Sequence, residues 1–203
     1  MEITPTRSAL LEIRDERQVM GEGYRFLDEK RLLLASEIIK LAGRFQELQE
    51  EYLRAHREAS AAMGAAVTRH GLHGMQVTPA QELYAAGIER FDRIFFGVPL
   101  VDLPRLLPGE PHPPAFAALL PSPERRACQE AFSRLLPLVT ELAALSGNLH
   151  RLLAEYQRTE RRARALEDVI LPELDGAIHE MDIRLEEMEQ EEAVRVRLGR
   201  SGE

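Results

Sequence analysis

Apolar positions near the start of the chain fall on a three-four rhythm that lasts far longer than a globular helix needs. Leu10, Ile13, Met20, Tyr24, Leu27, Leu34, Ile38, Leu41, Phe45, Leu48, Tyr52, Ala55, Ala59, Ala62 and Ala66 all lie on it, and only Arg17 and Arg31 interrupt. A mean period near 3.5 over about eight heptads predicts a helix whose seam supercoils left-handedly against a partner. The helix is expected from about residue 4 to residue 69, with Thr4 as the capping residue and Pro5 in the first turn, where a missing N–H costs nothing. The two seam arginines are expected to snorkel or to pair with carboxylates across the seam.

The rhythm stops at residue 70. Between 70 and 121 the run of Gly71, Gly74, Pro79, Gly87, Gly97, Pro99, Pro104, Pro108, Gly109, Pro111, Pro113, Pro114 and Pro121 forbids a long helix. Ile94–Val98 and Leu100–Leu103 are β-prone and predict a small hairpin, with the prolines pushing the second run toward an edge. From residue 122 to 203 helical periodicity returns. Ser122-Pro123-Glu124 reads as a cap followed by proline at the first helical position. Phe132, Leu135, Val139, Leu142, Leu149, Leu153 and Tyr156 carry the rhythm; after a phase shift Leu166, Ile170, Leu174, Ile178, Met181, Leu185 and Met188 resume it, to an end near Leu198. Pro137 and Pro172 should kink this second helix.

At 1.5 Å per residue the first helix would be roughly 100 Å long and the last segment longer still. Neither can bury its stripe against a 50-residue middle (70–121), but each can bury it against the other. The expected fold is therefore all-α: one long antiparallel two-helix coiled-coil hairpin, made of segments 1–69 and 122–203 and counted as one domain, with an irregular middle segment at 70–121. The seam is expected at Leu27, Leu34, Ile38, Leu41, Leu142, Leu149, Leu153 and Ile170. A parallel homodimer is the competing packing, and it leaves the chain reversal unexplained.

Composition sharpens this picture mainly by exclusion. Charged residues make up 30% of the 203, aromatics 5%, and there is no Trp, as expected of long helices. A net charge of −8 disfavours a nucleic-acid partner, which would call for a basic face. The single cysteine, Cys128, cannot form an internal disulfide and reads as a small seam or edge residue. The start of the chain lacks the basic and apolar regions of a secretory signal, and no apolar run approaches the roughly 18 residues that cross a bilayer. A cytoplasmic protein is expected, peripheral to any membrane through its partners.

No phosphate-binding loop of the G-x-x-x-x-G-K-[ST] or G-x-G-x-x-G kind is present, so neither a catalytic residue nor a cofactor is expected. His56, His70, His73 and His112 lack the companions of a metal centre and read as solvated histidines. The acidic run Glu186–Glu192 reads as a solvated face. Arg151, Arg158, Arg161, Arg162 and Arg164 spread over one flank of the last helix and cannot all pair internally.

Some of these residues carry a resemblance. Pro5-Thr6-Arg7-Ser8-Ala9-Leu10-Leu11-Glu12, followed by Gly23–Arg31, closely resembles the N-terminal helix of the V-type ATPase D subunit. Thr159–Pro172 is similar to the family's "TRRRVNALENVVIP" stretch, with Ala163 and Arg164 in place of its usual Val and Asn. Glu189–Leu198 is similar to its C-terminal tail, and Phe95-Phe96-Gly97-Val98 to the "IMGV" of its middle hairpin, although Pro99 follows here. The two helical matches cover about a third of the chain, in the right order.

The resemblance implies the rotor shaft of a V-type or archaeal-type ATPase, without a catalytic site of its own. The terminal helices would enter a hexamer of catalytic and regulatory nucleotide-binding subunits. The middle would meet the F subunit of the stalk and the socket subunit of the membrane ring. It implies ring contacts at Arg7, Arg161, Arg162, Arg164, Glu167, Arg195 and Arg197, and stalk-partner contacts at Ile94, Phe95, Phe96 and Val98. A free-standing coiled-coil scaffold or membrane-curvature hairpin is the alternative, though the acidic charge disfavours anionic lipid. The shaft of an F-type ATPase would need an α/β domain for which the middle has no room, and no residue set supports an enzyme.

Overall fold

The computed structural model describes residues 6–76, 87–107 and 122–200. Helix α1 runs Arg7–Gln76, strands β1 and β2 run Ile88–Phe95 and Val98–Leu106, and α2 runs Pro123–Ala165. A π-helical turn, Leu166–Ile170, leads into α3, Leu171–Arg200. The chain divides into two compact units, one made of residues 1–33 and 156–203 and the other of 34–155.

In the first unit the start of α1 lies antiparallel to α3. Leu10, Ile13 and Met181 form its buried core, with Ala9, Leu174, Ala177, Ile178 and Leu185 packed around them. Arg7–Glu189, Arg14–Asp182 and Arg17–Asp175 flank that core; as the first number rises the second falls, as antiparallel pairing requires. Arg17 thus reaches a carboxylate on the opposite helix, while Arg31 pairs with Asp28 on its own helix. Both groups of each pair are substantially exposed, so the pairs set register more than they stabilise. The expected cap at Thr4 and Pro5 lies outside the described residues. The cap seen there is Thr6, whose Oγ1 accepts from the Ala9 N–H at 3.2 Å.

The π turn shapes the stripe from Leu166 onward. Pro172 has no N–H to give to the carbonyl four residues back, and its ring would collide with that carbonyl. The widened turn, closed by the Leu171 N–H on the Leu166 carbonyl, inserts one extra residue. Inward-facing positions therefore run Ala163, Leu166, Ile170, Leu174 and Ile178. Pro172 is accommodated by a wider turn.

In the second unit the rest of α1 lies antiparallel to α2. Ala59, Ala131 and Leu135 are buried together, with Tyr52, Ala55 and Ala62 against them. Arg44–Glu141 and Arg69–Glu124 bridge the two helices, and the Cys128 thiol lies 3.7 Å from the Met63 sulfur. Gly71, at φ 69° and ψ 164°, breaks the helical backbone just past the boundary expected at 69, in a region open to glycine; the chain regains helix as far as Gln76.

One seam expectation fails. Leu153 is 47% exposed, whereas Leu152 is fully buried. Phe132 and Val139 are likewise exposed. The buried and half-buried positions run Cys128, Ala131, Leu135, Leu138, Leu142, Leu145, Leu149 and Leu152. Apolar neighbours such as Ala131–Phe132, Leu138–Val139 and Leu152–Leu153 make two stripes equally readable. Against the alanine-rich part of α1 the smaller member, Ala131, is the one that is buried. Leu34 is fully buried, and Leu27, Ile38, Leu41, Leu142, Leu149 and Ile170 are half-buried.

The choice between adjacent leucines is testable by thermal melting. Leu152→Asp should destabilise by about 3–5 kcal/mol, combining lost burial with an unpaired charge. Leu153→Asp should stay within about 1 kcal/mol of the parent. Equal shifts for both would place the stripe elsewhere.

Candidate functional site: the docked β-hairpin and the helix flanks

Phe96 and Gly97, at φ 47° and 84°, turn the chain in two residues, and Phe95↔Val98 closes an antiparallel ladder. Positive φ at both turn positions suits the right-handed twist of the strands. Gly97 takes it freely; Phe96 does so against steric resistance. Pro99 faces Ile94, a position whose N–H would point away from β1, so the ladder loses nothing. Leu103 and Pro104 together oppose Arg90, a bulge that gives the second proline its place.

The sheet is two-stranded among the described residues. Val98 and Leu100 are buried. On the opposite face Ile94 is 79% exposed, and Phe91, on the face of Val98 and Leu100, and Phe96, in the turn, are exposed too. Of the expected stalk-contact residues, Ile94 and Phe96 thus present apolar surface at the tip. Val98 is an anchor facing inward, and Phe95 is half-buried, packed edge-on against Phe96 at 5.1 Å with the Arg93 guanidinium 5.8 Å from its ring centre.

Two polar clamps hold the hairpin. Asn148 is 3% exposed; its Oδ1 accepts from the Val101 N–H and its Nδ2 donates to the Val101 carbonyl, both at 2.8 Å. The side-chain amide thereby does for the outer edge of β2 what a third strand would do. Arg151 donates to the same Oδ1 at 2.7 Å, folding back over Gly147, where a Cβ would stand 3.4 Å from its guanidinium. The second clamp is Glu37, which accepts from Arg93 at 2.6 Å, while Arg93 also donates to Asp102 at 3.0 Å. With two carboxylates beside it, the Arg93 guanidinium is held charged and its pKa is raised, chiefly by the bond to Glu37.

Hydrophobic periodicity singles out neither Glu37 nor Asn148. A signal exists: Ser146-Gly147-Asn148 places three poor helix formers in mid-helix, and a buried Asn on the seam needs a partner.

At the far end of this unit α1 is tied to the start of α2. The Ser122 hydroxyl caps α2 through the Arg125 N–H at 3.2 Å and lies 2.7 Å from His70 Nε2. Arg125 donates to the Gly74 carbonyl at 2.6 Å. His70 is therefore a half-buried helical residue with a partner, where a solvated loop histidine was expected. Glu124, in the first turn of α2, has its pKa lowered by its own backbone N–H first and then by Arg69 and Ser122.

On the flanks, Arg161, Arg162, Arg195 and Arg197 are exposed and carry no ion-pair partner among the described residues. Arg164 pairs with Glu160 at 2.7 Å and Arg7 with Glu189. Glu167 lies in the π turn and accepts from the Tyr24 hydroxyl, which raises the tyrosine's pKa. A groove of about 290 Å³ beside Pro137, lined by Ala55, Glu58, Ala131 and Arg134 among others, holds no arrangement suited to catalysis. Among the described residues no three His, Cys, Asp or Glu side chains are grouped for a metal, and no helix is long and apolar enough to cross a membrane.

The fold defines a class: a helical-hairpin protein with a small β-hairpin docked on its paired helices. Residues 9–200 match the family model for the D subunit of ATP synthase, and the chain belongs to that family. Its relatives include the V-type ATP synthase D subunit of Thermotoga neapolitana, 29% identical over 97% of this chain and 96% of its own length. The A-type ATP synthase D subunit of Methanopyrus kandleri is 26% identical over 97% of this chain and 84% of its own. That of Pyrococcus furiosus is 28% identical over 97% and 92%.

Two substitutions probe this geometry. Phe96→Asn should stabilise the isolated chain by about 1 kcal/mol, read as a higher Tm, because Asn-Gly accepts positive φ more readily. Glu124 contributes stability that is complete above its ordinary value of 4.5 and is lost as pH falls below it, since its folded pKa is the lower one. Glu124→Gln should therefore flatten the acid limb of a Tm-against-pH curve while lowering Tm near neutral pH.

Proposed function

We propose that this chain is the central-stalk subunit of a V-type or A-type rotary ATP synthase, transmitting torque between a nucleotide-binding hexamer and a membrane ion-translocating ring. The observation that carries the reading is the family match across nearly the whole chain, on a fold of paired long helices that carry a small β-hairpin. A shaft has no need of chemistry. It needs helices that resist shear and a surface that differs around its circumference, so that each orientation favours a different conformation of the subunits around it.

The unpaired Arg161, Arg162, Arg195 and Arg197 suit contacts with acidic loops of such a ring. Arg7, Arg164 and Glu167 already have partners here, so their part in ring contacts would require exchanging those partners. The apolar tip at Ile94 and Phe96 suits a stalk partner such as the F subunit or the socket subunit. The complex would hold the chain at the cytoplasmic face of the membrane.

Purification of the tagged chain from its native cells tests this. Catalytic and regulatory ATPase subunits should co-purify with ATP hydrolysis activity, and truncation after residue 189 should abolish coupled turnover. Recovery of the chain alone, or with unrelated proteins, would sink the rotor reading in favour of a free-standing scaffold.

A further inference from the structure

Each strand of the hairpin is gripped by a different helix. β1 is held to α1 through Arg93 and Glu37, and β2 to α2 through Val101 and Asn148. Arg93 and Asp102 then tie the strands to each other across the ladder. Both gripping residues lie in the seam region, where an apolar side chain would ordinarily serve stability as well. Glu37 is 8% exposed and Asn148 3% exposed. Polar groups there supply what apolar contact cannot, which is direction. A side-chain amide paired with both the N–H and the C=O of one residue fixes a strand's position to the residue, and a charged fork fixes its angle.

We infer that Glu37 and Asn148 are positioning residues that make the hairpin a rigid cross-brace between α1 and α2, so that force applied at Ile94 and Phe96 reaches both helices at once. This rests on the reading that the tip meets a stalk partner. Arg151 belongs to the same device: its guanidinium donates to the Asn148 Oδ1 at 2.7 Å and helps hold the amide.

The test uses the assembled, membrane-reconstituted complex with Asn148→Leu combined with Glu37→Gln. Amide exchange at Val101 and across β1 should rise by about tenfold or more, with the rest of α1 and α2 unchanged. ATP hydrolysis should persist while ion transport per ATP falls. Asn148→Asp, which keeps the acceptor for the Val101 N–H, should restore part of both signals; a merely structural role would move Tm without moving transport per ATP. Unchanged exchange, or raised exchange with transport per ATP intact, overturns the inference. Ile94→Asp, with both clamps intact, separates the two readings. If it leaves partner retention and transport unchanged, tip docking fails, whereas an exchange rise confined to the clamp variants shows that the clamps themselves hold the hairpin.

Discussion

In each unit, two helices bury one narrow stripe against each other, and everything else is arranged around that contact. A long helix with a single apolar stripe is marginal alone, because its backbone entropy is recovered only when the stripe leaves water. Antiparallel pairing with an equally long partner solves the problem continuously, turn by turn. It also explains why the chain tolerates prolines and a glycine break. Pro172 is absorbed by a π turn that realigns the stripe, and the backbone break at Gly71 falls at the end of the alanine-rich part of the seam.

A stripe this narrow leaves most of the helical surface in solvent, and the charged residues sort accordingly. Cross-helix pairs such as Arg14–Asp182 and Arg44–Glu141 guard the seam edges and fix register. Arg161 and Arg162 are exposed and carry no ion-pair partner among the described residues.

The hairpin is the exception to this economy. Its inner face is anchored by Val98 and Leu100, but its placement is set by polar groups that interrupt the seam. A turn with an aromatic held at positive φ adds strain at the point where the apolar tip is displayed. Local stability has been given up twice, at Phe96 and at Asn148, and both concessions serve where the hairpin sits and what it shows.

Read alone, the amino acids establish the helical pairing, the reversal in the middle, a short hairpin and the family, but not the hairpin's turn, since Phe96-Gly97 falls inside the run Ile94–Val98 that reads as a strand. Each follows from periodicity, from glycine and proline, or from linear motifs, which act over a few residues. Other features exist only through packing. Leu152 rather than Leu153 faces inward because adjacent apolar residues define two equally periodic stripes, and only contact with the partner helix selects one. Glu37, Arg93, Val101 and Asn148 are far apart along the chain, and their roles arise once helix pairing brings a carboxylate and an amide to opposite strands. Periodicity reports which face is buried; it carries no information on which polar groups meet there.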